Sequence, residues 1–404
     1  MSTHSPHHSA RLRGNQQHPA RGGTVALLVV TALLVLMQLY SAIPLVAPMG
    51  TDLGADVSFA LSTVFSICYA VGFLVWGPLA DQYGRRRIMV IGLLTLTVVT
   101  FACGFASSAP LLAVLRGLQG LTASSFAPVA LAYLAEATPP ARRATAIGAM
   151  STAFLVAGIL GQVAASAVAL ELGWEWMFIL SGVMLALCLV GVVLVVAEPP
   201  RHTDGVRLTR RFAAVATVAT RPSVLLLSAA HLTLLLSFVA MYTGLGPHLS
   251  SLGLNSSQVI WLRLVGLPGM FASLIAGRIT RRLGTAGVAR AGFALAAAGL
   301  LLEAALSGTL VGTGASSLVF VTGVALAVPS MITLFGESAA PNRAGGMALN
   351  GFVLFLGASL GPLTAHLGLS FPVLLLGLAI LMAIAVASLT GFTRLTRSTM
   401  GTVA

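Results

Sequence analysis

The chain has 404 residues, of which 57% are hydrophobic and only 8% are charged, with a formal net charge of +12. A soluble domain carries about 25% charged residues, so this composition excludes a soluble globular protein, whose surface would expose apolar groups to water. Nucleic-acid binding is a poor explanation of the charge, because the arginines cluster between long apolar runs. Twelve crossings of a bilayer would use about 240 apolar residues and leave room for short loops.

In chain order, a polar tail over residues 1–23 comes first, too polar for a signal peptide, and we expect it to be a disordered cytoplasmic tail. An N-terminal six-helix bundle is predicted over 24–197, a cytoplasmic linker over 198–221, a C-terminal six-helix bundle over 222–392 and a cytoplasmic tail over 393–404. The fold class is thus all-α, with twelve transmembrane helices in two pseudo-symmetric bundles. The predicted helices are 24–46, 59–80, 87–106, 110–135, 145–169, 175–197, 222–245, 257–279, 286–307, 314–336, 345–367 and 371–392.

The arginines orient the helices. They occur in the N-terminal tail, the linker and every second loop, whereas the alternate loops contain none. Because cytoplasmic loops are enriched in basic residues, both termini are predicted to be cytoplasmic, in the cell inner (plasma) membrane.

The two predicted bundles repeat each other. Several residues recur in the same order at an offset of 200 or 201 positions. Parallel repeats of this kind are typical of transporters whose two halves rock about a site between them. The recurring pairs are Gly77 and Gly277, Gly84 and Gly284, Pro128 and Pro329, Glu136 and Glu337, and Arg142 and Arg343.

The loop after the second predicted helix reads Gly-Pro-Leu-Ala-Asp-Gln-Tyr-Gly-Arg-Arg-Arg over residues 77–87, and the fourth helix contains Arg-Gly-Leu-Gln-Gly over 116–120. Both segments resemble signature motifs of the major facilitator superfamily, and the resemblance extends over residues 24–392. Within that superfamily the chain most resembles the twelve-span drug:proton antiporters. The fifth helix departs from their antiporter motif, because Gln162 follows Gly161 where the motif has proline.

The resemblance implies a gating loop on the cytoplasmic side. Asp81 would accept hydrogen bonds from the start of the eleventh helix near Gly345, and Arg85 or Arg86 would pair with Glu136. We expect these contacts in an outward-open state and expect them to break when the cytoplasmic side opens. The alternative is a loop that only sets topology. The gating set comprises Gly77, Asp81, Gly84, Arg85, Arg86, Glu136 and Arg142.

The resemblance also implies a central cavity lined by the first, fourth, seventh and tenth helices. The cavity and substrate candidates are Gln38, Tyr40, Arg116, Gln119, His231 and Tyr242. Arg116 is interpreted as a substrate contact or as a neighbour of a proton site, because a charge inside a membrane is costly; the alternative is snorkelling to the outer interface. Snorkelling is the preferred interpretation of Arg263, and Glu303 is placed at the interface.

Proton coupling requires a group that titrates inside the membrane. His231 is the best candidate, since free histidine has a pKa of about 6.5, and Asp81 is the alternative carrier. The alternative interpretation is that His231 is a buried, neutral histidine with only a structural role. Pro128 and Pro329 are predicted to kink the fourth and tenth helices, because proline interrupts helical hydrogen bonding.

The sequence contains no catalytic, phosphate-binding or metal-binding motif within the predicted helices, so we expect no enzyme activity, no metal and no cofactor. We predict a secondary active transporter that exports a small amphipathic organic compound or drug in exchange for protons by alternating access. The alternative is a proton-coupled importer or facilitator of a sugar or metabolite on the same fold. The expected partners are the substrate, protons and the lipid bilayer, without nucleic acid, and the chain is expected to be a monomer.

Overall fold

Twelve apolar helices form the molecule in a computed structural model, which describes residues 22–198, 207–340 and 342–401. This part of the chain contains helices and connecting turns but no strand. The predicted all-α fold class and the number of helices are confirmed. We name the helices spans 1–12: Gly22–Tyr40, Phe59–Tyr83, Arg85–Cys103, Ala109–Ala137, Thr145–Glu171, Trp174–Val195, Pro222–Ser251, Ser257–Leu283, Thr285–Leu306, Leu310–Ser338, Gly345–Leu367 and Phe371–Thr396.

Successive spans run in opposite directions, so the molecule has two ends. The linker end carries the loops after the even-numbered spans and a short helix, Leu208–Ala219, which we call the linker helix. The far end carries the loops after the odd-numbered spans. Spans 1–6 form one half and spans 7–12 the other, and the halves meet where span 2 packs against span 11 and span 5 against span 8.

Prolines account for several breaks in the spans. A proline has no N–H to donate to the carbonyl four residues earlier. Span 1 ends at Tyr40, four residues before Pro44, and a second helix, Ala42–Leu53, continues to the far end. Span 4 is interrupted after Ala123 and resumes at Ala127, beside Pro128.

Pro329 behaves differently from Pro128. The helix Leu310–Ser338 runs through Pro329 without interruption. Span 10 therefore lacks the interruption seen in span 4, and a kink at Pro329 within the continuous helix stays a prediction. The sequence repeat does not enforce the same helix geometry, because packing of the surrounding spans decides whether a proline opens the helix.

The repeat is clearest in the loops after spans 2 and 8. Gly84 has φ 104° and Gly284 has φ 72°, and these residues join spans 2 and 3 and spans 8 and 9. Residues other than glycine rarely adopt positive φ, so glycine suits both turns. The predicted glycine-dependent loop and its counterpart in the second half are thus present.

The last helix extends beyond its predicted end. The last helix runs from Phe371 to Gly401, so the segment assigned to a tail over 393–404 begins inside a helix. Most of the predicted tail 1–23 lies outside the described residues, as does 199–206 of the predicted linker. The described part of the linker is largely helical.

Candidate functional site

A cavity of about 380 Å³ lies between the two halves and extends to Asp81 and Arg85 at the linker end; we call it the central cavity. Spans 1, 4, 7 and 10 contribute to its walls, as predicted, together with spans 2, 5 and 11 and with Arg85 of span 3. Most wall residues are aliphatic or aromatic. The polar wall residues are Tyr40, Tyr69, Asp81, Arg85, Ser151 and Asn350.

A second cavity, of about 500 Å³, opens between the halves at the far end; we call it the far-end cavity. A layer of side chains separates it from the central cavity. In this layer Tyr40 of span 1 meets Phe238 of span 7, with ring centroids 5.7 Å apart. The Thr63 hydroxyl of span 2 donates to the Ser359 carbonyl of span 11 at 3.2 Å. The two cavities therefore lie on opposite sides of this layer.

Only one of the six predicted cavity residues reaches the central cavity. Tyr40 lines it, whereas Gln38, Arg116, Gln119, His231 and Tyr242 are buried and do not contribute to the described walls of either cavity. Hydropathy located these polar residues inside spans but could not tell which way each one faces.

Arg116 of span 4 is fully buried inside the first half and connects three spans. Its Nε donates to the Leu61 carbonyl at 2.7 Å and its Nη2 to the Gln38 carbonyl at 3.1 Å. Its Nη1 donates to Oε1 of Gln119 at 2.5 Å. The guanidinium also lies 4.3 Å from the ring centroid of Phe65, a cation–π distance.

Gln119 extends this network to a fourth helix, span 3. Its amide nitrogen donates to the Thr100 hydroxyl at 2.8 Å and to Oε1 of Gln38 at 3.3 Å. No carboxylate of the described residues pairs with Arg116, so carbonyls, an amide and an aromatic ring disperse its charge. Snorkelling is excluded in this structure, since the guanidinium points into the helix bundle. These contacts indicate that Arg116 has a structural role in the first half.

His231 does not line the central cavity itself but contacts a residue that does. Its Nε2 is 2.9 Å from Nδ2 of Asn350, which lines the central cavity. The Nδ1 atom has no hydrogen-bond partner among the described residues, and the ring packs at 5.3 Å from that of Phe335. Asn350 therefore connects the histidine to the cavity. Sequence reasoning missed Asn350, although a side-chain amide inside an apolar span is a visible signal.

The gating-loop residues meet at the linker end. Nη2 of Arg85 lies 3.4 Å from Asp81, and Nε of Arg85 donates to Glu136 at 2.8 Å. Asp81 also lies 3.6 Å from Nη1 of Arg211 in the linker helix. The predicted pairing of Arg85 with Glu136 is therefore present. Both residues belong to the same half, and the central cavity extends to Arg85; that the pair breaks when this end opens stays a prediction.

The other gating residues have separate surroundings. Gly77 lines the central cavity, and Arg86 donates to the Val193 carbonyl at 2.8 Å instead of to Glu136. Arg142 is exposed at the start of the helix that contains span 5. The backbone N–H of Gly345, to which we expected Asp81 to bind, donates instead to Oδ1 of Asn342 at 3.1 Å.

Glu198 is a further residue that sequence reasoning missed. Its carboxylate accepts hydrogen bonds from the backbone N–H of Arg85 at 2.8 Å and of Arg87 at 3.4 Å. An acid at this place stabilises the beginning of span 3, because the first N–H groups of a helix carry partial positive charge. The signal was available, since Glu198 is a lone acid directly after an apolar run.

Two side-chain contacts join the halves at the far end. Nη1 of Arg263 in span 8 donates to the Ser166 hydroxyl of span 5 at 2.8 Å, and Arg263 is only 4% exposed. Snorkelling of Arg263 was therefore a wrong interpretation. His366 lies 3.6 Å from Asp56, whose pKa is lowered mainly by the hydrogen bond from the Ser58 backbone.

Glu303 also contradicts its prediction. We placed it at the membrane interface, but its carboxyl is fully buried, and neither oxygen has a hydrogen-bond partner among the described residues. Within the described ranges, no group of three or more potential ligands is arranged to hold a metal ion.

Comparison with known proteins places this architecture in a family. The family model described as Major Facilitator Superfamily matches residues 28–362. An uncharacterised MFS-type transporter of Mycobacterium tuberculosis is 32% identical over 142 residues, which are 35% of this chain and 24% of that protein. Multidrug resistance protein 3 of Bacillus subtilis is 26% identical over 152 residues, or 37% of this chain and 30% of that protein. The matched segment thus spans less than a third of either relative.

The fold extends over a longer stretch than these sequence matches. A bacterial homologue of the human lysosomal transporter Spinster, solved in an inward-facing and unoccupied conformation, superposes with a TM-score of 0.69 at 17% identity. The superposition covers 92% of this chain and 96% of that one. The family consists of transporters and not of enzymes, and the twelve apolar helices together with these relatives support a multi-pass protein of the inner membrane. The chain belongs to the Major Facilitator Superfamily.

Proposed function

We propose that the protein exports a small, largely apolar organic compound from the cytoplasm in exchange for protons. The observation that carries this proposal is the central cavity, whose volume of about 380 Å³ lies in the range of small-molecule sites. Its walls are mainly apolar, with a few uncharged polar side chains, among them Asn350, and a charged pair only at the linker end.

The aromatic side chains of the wall support an amphipathic substrate. The Phe355 ring lies 4.3 Å from that of Tyr69 and 5.3 Å from that of Phe73, measured between centroids. Such a surface binds flat apolar rings and organic cations well. A sugar needs many hydrogen-bonding groups, and the few polar side chains of this wall argue against the alternative substrate class.

The direction of transport and the orientation of the protein in the membrane are part of the same proposal. The arginine-rich loops favour a cytoplasmic linker end, so the central cavity would be open towards the cytoplasm. The similarity to a multidrug resistance protein supports export, as does the drug-antiporter resemblance of the 77–87 loop. For the proton we propose His231, which contacts the cavity through Asn350, with Asp81 as the alternative carrier.

Everted membrane vesicles that contain the protein would test this function with ethidium, a fluorescent organic cation. We expect ethidium to accumulate in the lumen when respiration acidifies it, and to be released when nigericin removes the pH gradient. Accumulation in right-side-out vesicles instead would indicate import. No gradient-dependent movement of ethidium in either direction would contradict the proposal for this class of compound.

A cavity variant makes the test specific. We expect Phe355→Ala to weaken the apparent affinity for ethidium by roughly tenfold, which corresponds to about 1.4 kcal/mol of lost contact. Phe105→Ala is the matched control, because Phe105 is 74% exposed and lies outside both cavities. Equal effects of the two substitutions would show that ethidium does not use the central cavity.

A further inference from the structure

Glu303 is the buried acid that the proposed mechanism does not use. It lies one turn from the far end of span 9, is fully shielded from solvent and has both carboxyl oxygens without a hydrogen-bond partner among the described residues. A buried carboxylate with neither a donor nor a cation in contact is strongly disfavoured, whereas the neutral acid is tolerated. The arrangement therefore fits a carboxyl that carries a proton.

The helices around Glu303 bring few other titratable groups near it. Gly299, one turn earlier on the same face of span 9, contacts Phe320 of span 10. The antiparallel helix therefore brings Ser316 and Ser317 towards the carboxyl. Neither span 9 nor span 10 carries another charged residue at the level of Glu303. Span 12, which also packs on span 9, has no titratable residue before Arg394 at the linker end.

Spans 7 and 8 supply the charged and titratable neighbours. The Tyr242 hydroxyl lies within electrostatic range of both Glu303 and Arg263. Arg263 lies beside Gly246, which is one turn from Tyr242 on the same face of span 7. His248 of span 7 contacts the Ser307 carbonyl at 2.9 Å, one turn beyond Glu303.

Arg263 links this cluster to the interface between the halves. Its guanidinium lines the far-end cavity and donates to Ser166 of the other half. Its Nε has no partner among the described residues, so the guanidinium retains a free donor. A negative charge on Glu303 would attract it, since opposite charges interact strongly where water is scarce.

We propose that Glu303 is a proton-binding site whose occupancy controls closure of the far-end cavity. With Glu303 neutral, Arg263 bonds Ser166 and spans 5 and 8 stay together, as in this structure. Loss of the proton draws Arg263 towards Glu303, the bond to Ser166 breaks and the far end opens. Within the proposed export cycle, on which the physiological meaning rests, a proton from outside would then close the far end.

The test measures the distance between the halves as a function of pH, without substrate or gradient. Spin labels would be attached to Leu172→Cys and Leu252→Cys, in the far-end loops after spans 5 and 7, with the native cysteines replaced. We expect the distance to be short near pH 5 and to lengthen towards pH 9, a range that spans the pKa values of free and buried glutamates. In Glu303→Gln, an uncharged mimic of the acid, we expect the short distance throughout.

Three further variants make the outcome decisive. Glu171→Gln removes an exposed acid at the same end, and His366→Gln removes the other titratable contact between the halves there; both should respond to pH like the parent. Glu303→Asp keeps a carboxyl and should respond with a shifted midpoint, which separates proton binding from misfolding. A pH response that persists in Glu303→Gln, or a parent that shows none, would overturn the proposal whatever the result with ethidium.

Discussion

The ring of Tyr40 stands edge-on to the ring of Phe238 across the interface between the halves, at a centroid distance of 5.7 Å and an interplanar angle of 77°. Tyr40 lines the central cavity, and Phe238 lies one turn beyond the wall residue Leu235, towards the far-end cavity. This contact between spans 1 and 7 is therefore part of the layer that separates the two cavities.

Removal of this ring pair should make the protein leaky. In Tyr40→Ala combined with Phe238→Ala the two cavities would merge, and we expect passive ethidium flux through proteoliposomes without a gradient to rise several-fold. The exposed Phe105→Ala serves as the control. An unchanged passive flux in the double variant would mean that another contact, such as that of Thr63 with Ser359, seals the layer.

Arg116 should act on stability more than on transport. Arg116→Met removes donors from three acceptors, and hydrogen bonds of a charged group contribute about 1.5–3 kcal/mol each. We expect the free energy of unfolding in mixed micelles to fall by about 3 kcal/mol or more, with a poor yield of folded protein. Normal stability together with lost ethidium transport would instead favour the substrate-contact interpretation.

His231→Gln tests the proposed proton carrier. A glutamine amide can keep a hydrogen bond to Asn350, so we expect normal yield and normal ethidium exchange without a gradient. Export driven by a pH gradient should be lost, because glutamine cannot be protonated at these pH values. Undiminished gradient-driven export would exclude His231 and leave Asp81 as the carrier.

Asp81→Asn tests the linker-end cluster. The substitution weakens the contacts with Arg85 and Arg211, while Arg85 retains Glu136. Partly exposed ion pairs contribute about 0–1 kcal/mol, so the folded yield should be unchanged. We expect slower ethidium export and faster hydrogen exchange in the linker helix. Glu337→Gln, an exposed acid at the same end of the other half, should match the parent in both measurements.

Hydropathy and spacing by themselves determined the twelve spans, the two halves and the loop glycines. These properties are local, because a run of apolar residues must cross the bilayer as a helix whatever surrounds it. The matched positive φ of Gly84 and Gly284 shows that the repeat could be read from residue type alone.

Only the tertiary structure decided what each polar residue inside a span does. Arg116 and Gln38 are 78 positions apart, and His231 and Asn350 are 119 apart, yet each pair is in contact. Whether a polar side chain faces a cavity, a lipid or a partner depends on the rotation of its helix and on the neighbouring helices. That dependence is why Arg263 and Glu303 were misassigned to the interface, although their positions along the spans were correctly predicted.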